Sequence, residues 1–333
     1  MNLRLVHLQL THNCNLRCDF CGQWGEHGFM RRPGAPAELS TEDWLRVVDE
    51  LAASKPEVVV WGGEPLLSPA FVPVAERLKA LGIAAAVVTN GTLLERHAEV
   101  VGRCFETVYV SLDGPAEIHD RVRGSAGVFA KLERGVARLA HGRTTLVALC
   151  TLCEKNYQFA ASFPEQAARM GFDKIVFQNL IYATDEQDGR CRSWLSSEFA
   201  QEAPRLGSWV GAPSGDWLAA LPGIYAALKS RAHPLEVLYP PDIVEDAPPC
   251  LMPYRHLHVN PDGGVHFCVD FNDFSLGNVR TSSLAELFGG PLAERFRQGY
   301  AQHMPCVRCP WRYNRTLAID RRPLTPPGAT AAS

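Results

Sequence analysis

The stretch Leu3–Cys21, LRLVHLQLTHNCNLRCDFC, decides how the chain reads. Its first half, Leu3–Thr11, is a short apolar run with strand character, and its second half places thiols at Cys14, Cys18 and Cys21. The C-x3-C-x2-C spacing puts three thiolates within eight residues of loop. Three such thiolates can hold three irons of one cubane and leave the fourth without a protein ligand. An iron with an open position can bind a small molecule and do chemistry, whereas a fully ligated cluster only passes electrons.

Working outward, strand and helix patterns alternate from Leu3 to Asn179. After Leu3–Thr11 come a helix at Thr41–Ser54, the continuous apolar strand Glu57–Trp61 and a helix at Ser68–Leu81. Strands at Ala84–Thr89, Thr107–Ser111, Thr144–Thr151 and Lys174–Asn179 follow, separated by helices at Leu93–Val101, Gly127–His141 and Gln158–Met170. Continuous apolar strands between amphipathic helices imply a parallel sheet with right-handed crossovers. Six units are too few for a closed eight-fold barrel. The expected fold is therefore α/β, a partial (β/α)6 TIM-like barrel over residues 1–181, with its chemistry at the C-terminal strand ends. Gly22–Leu39, which contains Arg31, Arg32, Pro33 and Pro36, reads as a long loop able to act as a lid. Residues 182–248 lack clear periodicity and read as a linker that caps the barrel mouth. The Pro/Ala-rich residues 317–333 read as a disordered tail.

Composition narrows the class. The chain has 333 residues, a net charge of -3 and 46% hydrophobic residues, which suits a large core and gives no sign of a nucleic-acid or anionic-membrane partner. No apolar run is long enough to span a bilayer, and MNLRLVHLQL is not a signal peptide. Eleven cysteines in a chain without an export signal point to metal rather than disulfides, and to a cytoplasmic location.

The strand ends carry polar groups suited to a zwitterion attached to a nucleoside. Strand two ends in Gly62-Gly63-Glu64-Pro65, strand three in Thr89-Asn90-Gly91 and strand four in Ser111-Leu112-Asp113-Gly114, with Arg121 and Arg123 just beyond. The glycines permit close backbone approach, a carboxylate can receive an ammonium, and either arginine can take a carboxylate. Each piece alone also suits a turn or a solvated face.

Taken in order, CNLRCDFC, GGEP, TNG and SLDG resemble the radical S-adenosylmethionine (SAM) superfamily. The resemblance implies a [4Fe–4S] cluster on Cys14, Cys18 and Cys21, with SAM on its open iron. It also implies Phe20 beside the adenine, Glu64 at the methionyl ammonium with backbone from Gly63, Ser111 and Arg123 at the carboxylate, and Asn90 near the ribose. The implied reaction is reductive cleavage of SAM to a 5′-deoxyadenosyl radical, which takes a hydrogen from the substrate.

A second set, Cys250, Cys268, Cys306 and Cys309, has the spacing C-x17-C and, after a long gap, C-x2-C. A hairpin, His256–Val259 and Val265–Cys268 around Pro261-Asp262-Gly263-Gly264, lies between the first two. Four thiolates suit zinc or an iron–sulfur cluster equally on spacing alone. Beside the first motifs, residues 249–316 resemble the twitch extension, a shorter relative of SPASM, and imply one saturated auxiliary [4Fe–4S] cluster.

Of the remaining cysteines, Cys104 reads as a packed thiol. Cys150 and Cys153 form a CxxC that period two sends to opposite faces. Cys191 and Cys150 are the candidates for returning a hydrogen atom to a substrate radical. The expected function is a radical SAM oxidoreductase, a dehydrogenase or epimerase of a small hydroxylated substrate of sugar or aminocyclitol type, as in antibiotic biosynthesis. A flavodoxin- or ferredoxin-type protein would supply its electrons. The competing reading is a ribosomal-peptide-modifying enzyme; the early start of the first strand, which leaves no room for a leader-binding domain ahead of it, weighs towards the small substrate. A zinc-binding regulator or scaffold is the reading from another class.

Overall fold

The computed structural model describes residues 3–18, 20–25, 28, 30, 37–140, 142–180, 182–201, 215–240, 249–270 and 273–304. The tail 317–333, Cys306, Cys309 and the Arg31–Pro36 part of the expected lid lie outside them. Six parallel strands appear where the apolar runs placed them: β1 (Leu5–Gln9), β2 (Glu57–Trp61), β3 (Ala85–Thr89), β4 (Thr107–Ser111), β5 (Thr145–Leu152) and β6 (Lys174–Asn179). Helices α1 (Thr41–Glu50), α2 (Phe71–Ala80), α3 (Leu94–Cys104), α5 (Val128–Leu139) and α6 (Phe163–Arg169) form the crossovers. A capping box explains the start of α1: Ser40 Oγ accepts from Asp43 N at 3.1 Å and Asp43 Oδ2 accepts from Ser40 N at 3.1 Å.

The sheet is larger than six strands. Its order is β10-β9-β8-β1-β2-β3-β4-β5-β6-β7. The region expected to be irregular holds α7 (Asp185–Phe199), α8 (Asp216–Lys229) and β7 (Glu236–Leu238), and β7 extends the sheet in parallel beyond β6. Sequence periodicity hides α8 because Pro222 and Gly223 interrupt it, yet Trp217, Leu221, Tyr225 and Leu228 still fall on one buried stripe. A short helix, α4 (Ala116–Arg123), also escapes the sequence reading and ends at Gly124, whose φ of +69° makes a left-handed cap.

At the other edge, β8 (His256–Val259) pairs in parallel with β1, with His7 opposite His258. β9 (Gly264–His266) returns antiparallel, and β10 (Gly277–Asn278) closes the edge. The expected hairpin is therefore built into the barrel sheet. Two helices, α9 (Leu284–Gly289) and α10 (Pro291–His303), follow it.

Period two separates two cores. Val6, Val58, Val60, Val87, Val108 and Val110 belong to the large cluster beneath the helices. Val59, Ala86, Tyr109, Val147 and Val176 form a second, smaller cluster, filling the barrel interior as stacked side chains fill other barrels. The interior wall at β8, β1 and β9 is instead lined by buried His7, His256, His258 and His266.

Candidate active site and its relatives

The loop after β1 is held on three sides. It keeps pairing with the chain leaving β2: Gly63 N donates to Thr11 O at 2.7 Å and Glu64 N to Asn13 O at 2.8 Å. A Cβ at Gly63 would lie 2.3 Å from Asn13 O and 2.5 Å from His12 O. The glycine is thus required by the cysteine loop itself, and its N–H is already bonded to Thr11 O. On the β3 side, Asn90 Nδ2 donates to Asn15 Oδ1 at 2.9 Å, and Asn15 Nδ2 donates to Thr92 Oγ1 at 2.8 Å. Farther along, Glu38 accepts from Thr11 Oγ1 at 2.9 Å and from His12 N at 2.7 Å, and Trp24 Nε1 donates to His12 O at 2.6 Å. The Arg17 guanidinium lies 4.1 Å from the Trp24 ring centroid and donates to Cys14 O at 2.6 Å.

Each of the three thiols faces an N–H. Leu16 N lies 3.4 Å from Cys14 Sγ, Trp24 N lies 3.4 Å from Cys21 Sγ, and Arg123 Nη1 lies 3.8 Å from Cys18 Sγ. Asn90 Nδ2 is a second donor, 3.9 Å from Cys14 Sγ. Donors aimed at sulfur suit thiolates that ligate iron. Burial pushes the Cys14 thiol up to about 11 and raises Cys18 against the opposing pull of Arg123. Cluster assembly there releases protons. Among the described residues no three His, Cys, Asp or Glu side chains converge on a single ion. A cubane does not need that convergence, since each thiolate binds its own iron.

Glu64 is fully buried, and its carboxylate points inward. Oε1 accepts from Thr89 Oγ1 at 2.8 Å and Leu66 N at 3.2 Å, and Oε2 accepts from Asn90 N at 2.7 Å. Burial pushes its pKa up to about 7, against those hydrogen bonds. The carboxylate joins the exits of β2 and β3 and so fixes Asn90, which reaches the Cys14 loop; Asn90 Oδ1 is itself taken by Thr92 N at 2.9 Å.

The exit of β4 separates the two arginines. Arg121 is exposed, while Arg123 is buried. Nε of Arg123 donates to Asp113 Oδ2 at 2.6 Å, and its Nη2 lies 2.5 Å from the same oxygen. Thr151 N donates to Asp113 Oδ1 at 3.0 Å, and Asp113 N donates to His119 Nδ1 at 3.1 Å. Asp113, quoted in the SLDG stretch but given no role there, is the anchor of this corner. Phe20 covers the guanidinium at 5.5 Å and packs with Ile118, Val122, Cys153 and Leu180. Ser111 shares the interior face with Tyr109, and its hydroxyl makes no hydrogen bond among the described residues.

The candidate hydrogen donors do not join this group. Cys150 lies in the large cluster on the helix side of β5, so the interior positions beside it are Leu149 and Thr151. Cys191 is buried on α7, with Sγ 3.6 Å from Met304 Sδ at the end of α10, and burial pushes it up to about 12. Cys104 is a buried core thiol.

In the second cysteine set, Cys250 is buried and its carbonyl accepts from Tyr300 Oη at 2.5 Å. His258 Nδ1 donates to Cys268 O at 3.2 Å, and His256 Nδ1 donates to Phe267 O at 2.8 Å. Two of the expected ligands are thus seated by the hairpin and α10.

Comparison with known families agrees with this arrangement. Residues 8–152 match the Radical SAM superfamily, and residues 250–310 match SPASM, an iron-sulfur cluster-binding domain. The chain carries a radical SAM domain followed by an iron-sulfur SPASM domain. Its partner cofactors are accordingly a [4Fe–4S] cluster, SAM and auxiliary iron–sulfur. Among curated relatives, Fe-coproporphyrin III synthase of Methanosarcina barkeri is 24% identical, over 92% of this chain and 80% of the relative. PqqA peptide cyclase of Rhodopseudomonas palustris is 27% identical, over 91% of this chain and 78% of the relative. Among solved structures, Streptococcus suis SuiB bound to precursor peptide SuiA superposes with a TM-score of 0.65 over 93% of this chain and 70% of that one, at 14% identity, which is a likeness of fold. No helix among the described residues is long and apolar enough to cross a membrane.

Proposed function

We propose that this radical SAM enzyme modifies a peptide, by cross-linking or epimerisation. The observation that carries the reading is the match to a peptide cyclase along nearly the whole of both chains, 91% of this one and 78% of the relative. The sugar or aminocyclitol substrate expected from the sequence finds no counterpart among the relatives named above. A second reading, an iron-porphyrin substrate, is favoured by the equally long match to Fe-coproporphyrin III synthase.

In this proposal Cys14, Cys18 and Cys21 hold the cluster, and Cys250, Cys268, Cys306 and Cys309 hold an auxiliary one. When bound, the cluster and SAM supply hydrogen abstraction by one-electron chemistry. Phe20 covers the site with an apolar face, Ser111 offers a free hydroxyl from the interior wall, and Arg123 presents the N–H groups that Asp113 leaves unused. Glu64, Gly63 and Asn90 act by fixing the Cys14 loop, with Oε2 of Glu64 the one carboxylate oxygen that keeps acceptor capacity for an ammonium.

The test is anaerobic turnover of reconstituted enzyme with SAM and dithionite, offered either a short peptide encoded beside its own gene or iron-coproporphyrin. Peptide-dependent 5′-deoxyadenosine, with an altered peptide in mass or stereochemistry, is the expected result. Porphyrin-dependent turnover with an unchanged peptide would reject it in favour of the second reading.

A further inference from the structure

The buried pair Asp113–Arg123 has a job that SAM binding does not account for. Arg123 is 9% exposed and Asp113 fully enclosed, so the pair is out of bulk water. The guanidinium gives two N–H groups to Asp113 Oδ2 and turns Nη1 towards Cys18 Sγ at 3.8 Å. Asp113 cannot swing away, because Thr151 N holds its other oxygen at 3.0 Å and Asn156 Nδ2 holds its backbone carbonyl at 3.2 Å. Phe20 closes the remaining side at 5.5 Å. A fixed positive charge therefore stands beside one of the three cluster thiols, on the dry side of the loop.

We propose that Arg123, held by the positioning residue Asp113, sets the reduction potential of the SAM cluster through the Cys18 corner. One electron from a low-potential reductant adds one negative charge beside Cys18, with no bond made or broken and no proton required. The guanidinium stabilises that charge through a charge-assisted hydrogen bond to sulfur, in surroundings where water does not screen it. Asp113 does two opposing things. It keeps Arg123 in place, and its own carboxylate, farther from the sulfur, subtracts part of the field. The inference rests on Cys18 being a cluster ligand and not on any choice of substrate. Loss of cluster iron in Cys18→Ala checks that premise by itself.

The experiment is an EPR-monitored redox titration of the anaerobically reconstituted protein without SAM, with iron and sulfide counted in every sample. Arg123→Gln removes the positive charge and leaves the carboxylate. Its reduction equilibrium constant should fall tenfold or more, about 59 mV per tenfold for one electron, towards more negative potential. Asp113→Asn keeps an oxygen for Nε but removes the opposing charge, so its potential should move the other way. A merely structural pair would shift neither or would shift both alike by loosening the loop, and either result overturns the proposal. Should Arg123→Gln fail to load iron, Asp113→Asn decides alone: a positive shift supports the assignment, and an unchanged or more negative potential refutes it.

Discussion

Mild acid should unfold the apo protein through the histidines of the barrel wall. His7, His256, His258 and His266 are fully buried, and burial is the first cause holding each below its ordinary pKa, His256 at about 4. Burial prevails over the hydrogen bonds from Nδ1 to backbone carbonyls, which pull the other way for His256 at Phe267 O, His258 at Cys268 O and His266 at Phe274 O, while His7 Nδ1 pairs with His256 Nε2. Around them stand His12, Glu38 and Asp262, the last two pulling His12 upward and Asp262 also raising His266. Above the unfolded pKa of about 6.5 both states are neutral, and pH has no leverage. Below it, the unfolded chain takes protons that the folded chain refuses, so stability falls as pH falls, by about 1.4 kcal/mol per pH unit for each histidine. Glu64 works in the opposite direction. Its folded pKa of about 7 exceeds the unfolded value, so between those values the folded state holds the extra proton and gains as pH drops. His119, which burial lowers to about 3, adds a fifth proton, and burial lowers His12 and His97 in the same direction. Five protons against one leave at least about four, or about 5 kcal/mol per pH unit, against a total stability on the order of 5–15 kcal/mol. Urea unfolding of the apo protein, kept anaerobic, at closely spaced pH between 5 and 7 measures the slope. His258→Phe should lower it by one proton, about 1.4 kcal/mol per unit. A slope below one proton, or one unchanged in that variant, refutes the reasoning.

Other expectations follow from the site. Gly63→Ala puts a methyl against Asn13 O at 2.3 Å and should displace the cysteine loop, so the protein stays folded by circular dichroism but loses SAM-cluster iron. Changing Cys14, Cys18 and Cys21 together to Ala should take iron from about eight per chain to about four, as expected for loss of one cubane of two. Glu64→Gln turns one of its acceptors into a donor facing Asn90 N or Thr89 Oγ1 and should cost about 1–3 kcal/mol of stability, read in a urea midpoint. Cys150→Ala should leave SAM cleavage and product stereochemistry unchanged, because the thiol lies among helix-facing side chains; loss of turnover at normal iron content would contradict its placement.

The strands of the barrel are legible because buried parallel strands are short, apolar and bounded by polar ends. Glu57–Trp61, Thr107–Ser111 and Lys174–Asn179 stand at the residues the pattern marks. Helix α7 is not legible, since DEQDGRCRSWLSSEF buries little and owes its start to the Thr184–Gln187 capping box. The cysteine spacings are legible in the sequence, although for the second set they leave zinc and an iron–sulfur cluster equally open. The contacts of Gly63 and Glu64 within the protein are not, because a motif shows which residue types occur and not which backbone and side-chain groups they meet. Asp113 escaped for the same reason: only the fold reveals that α4 brings Arg123 back over it.

The parallel pairing of β8 with β1 has a consequence for how this chain can be divided. The strand that delivers Cys14 sits in the middle of the sheet only because residues from beyond 250 lie beside it. A chain cut before them would leave β1 with a bare row of backbone donors and acceptors, a template for pairing with any other extended strand. The apparent barrel and its apparent appendage thus share one sheet, and exchange of either half between relatives must carry the β1–β8 seam along with it.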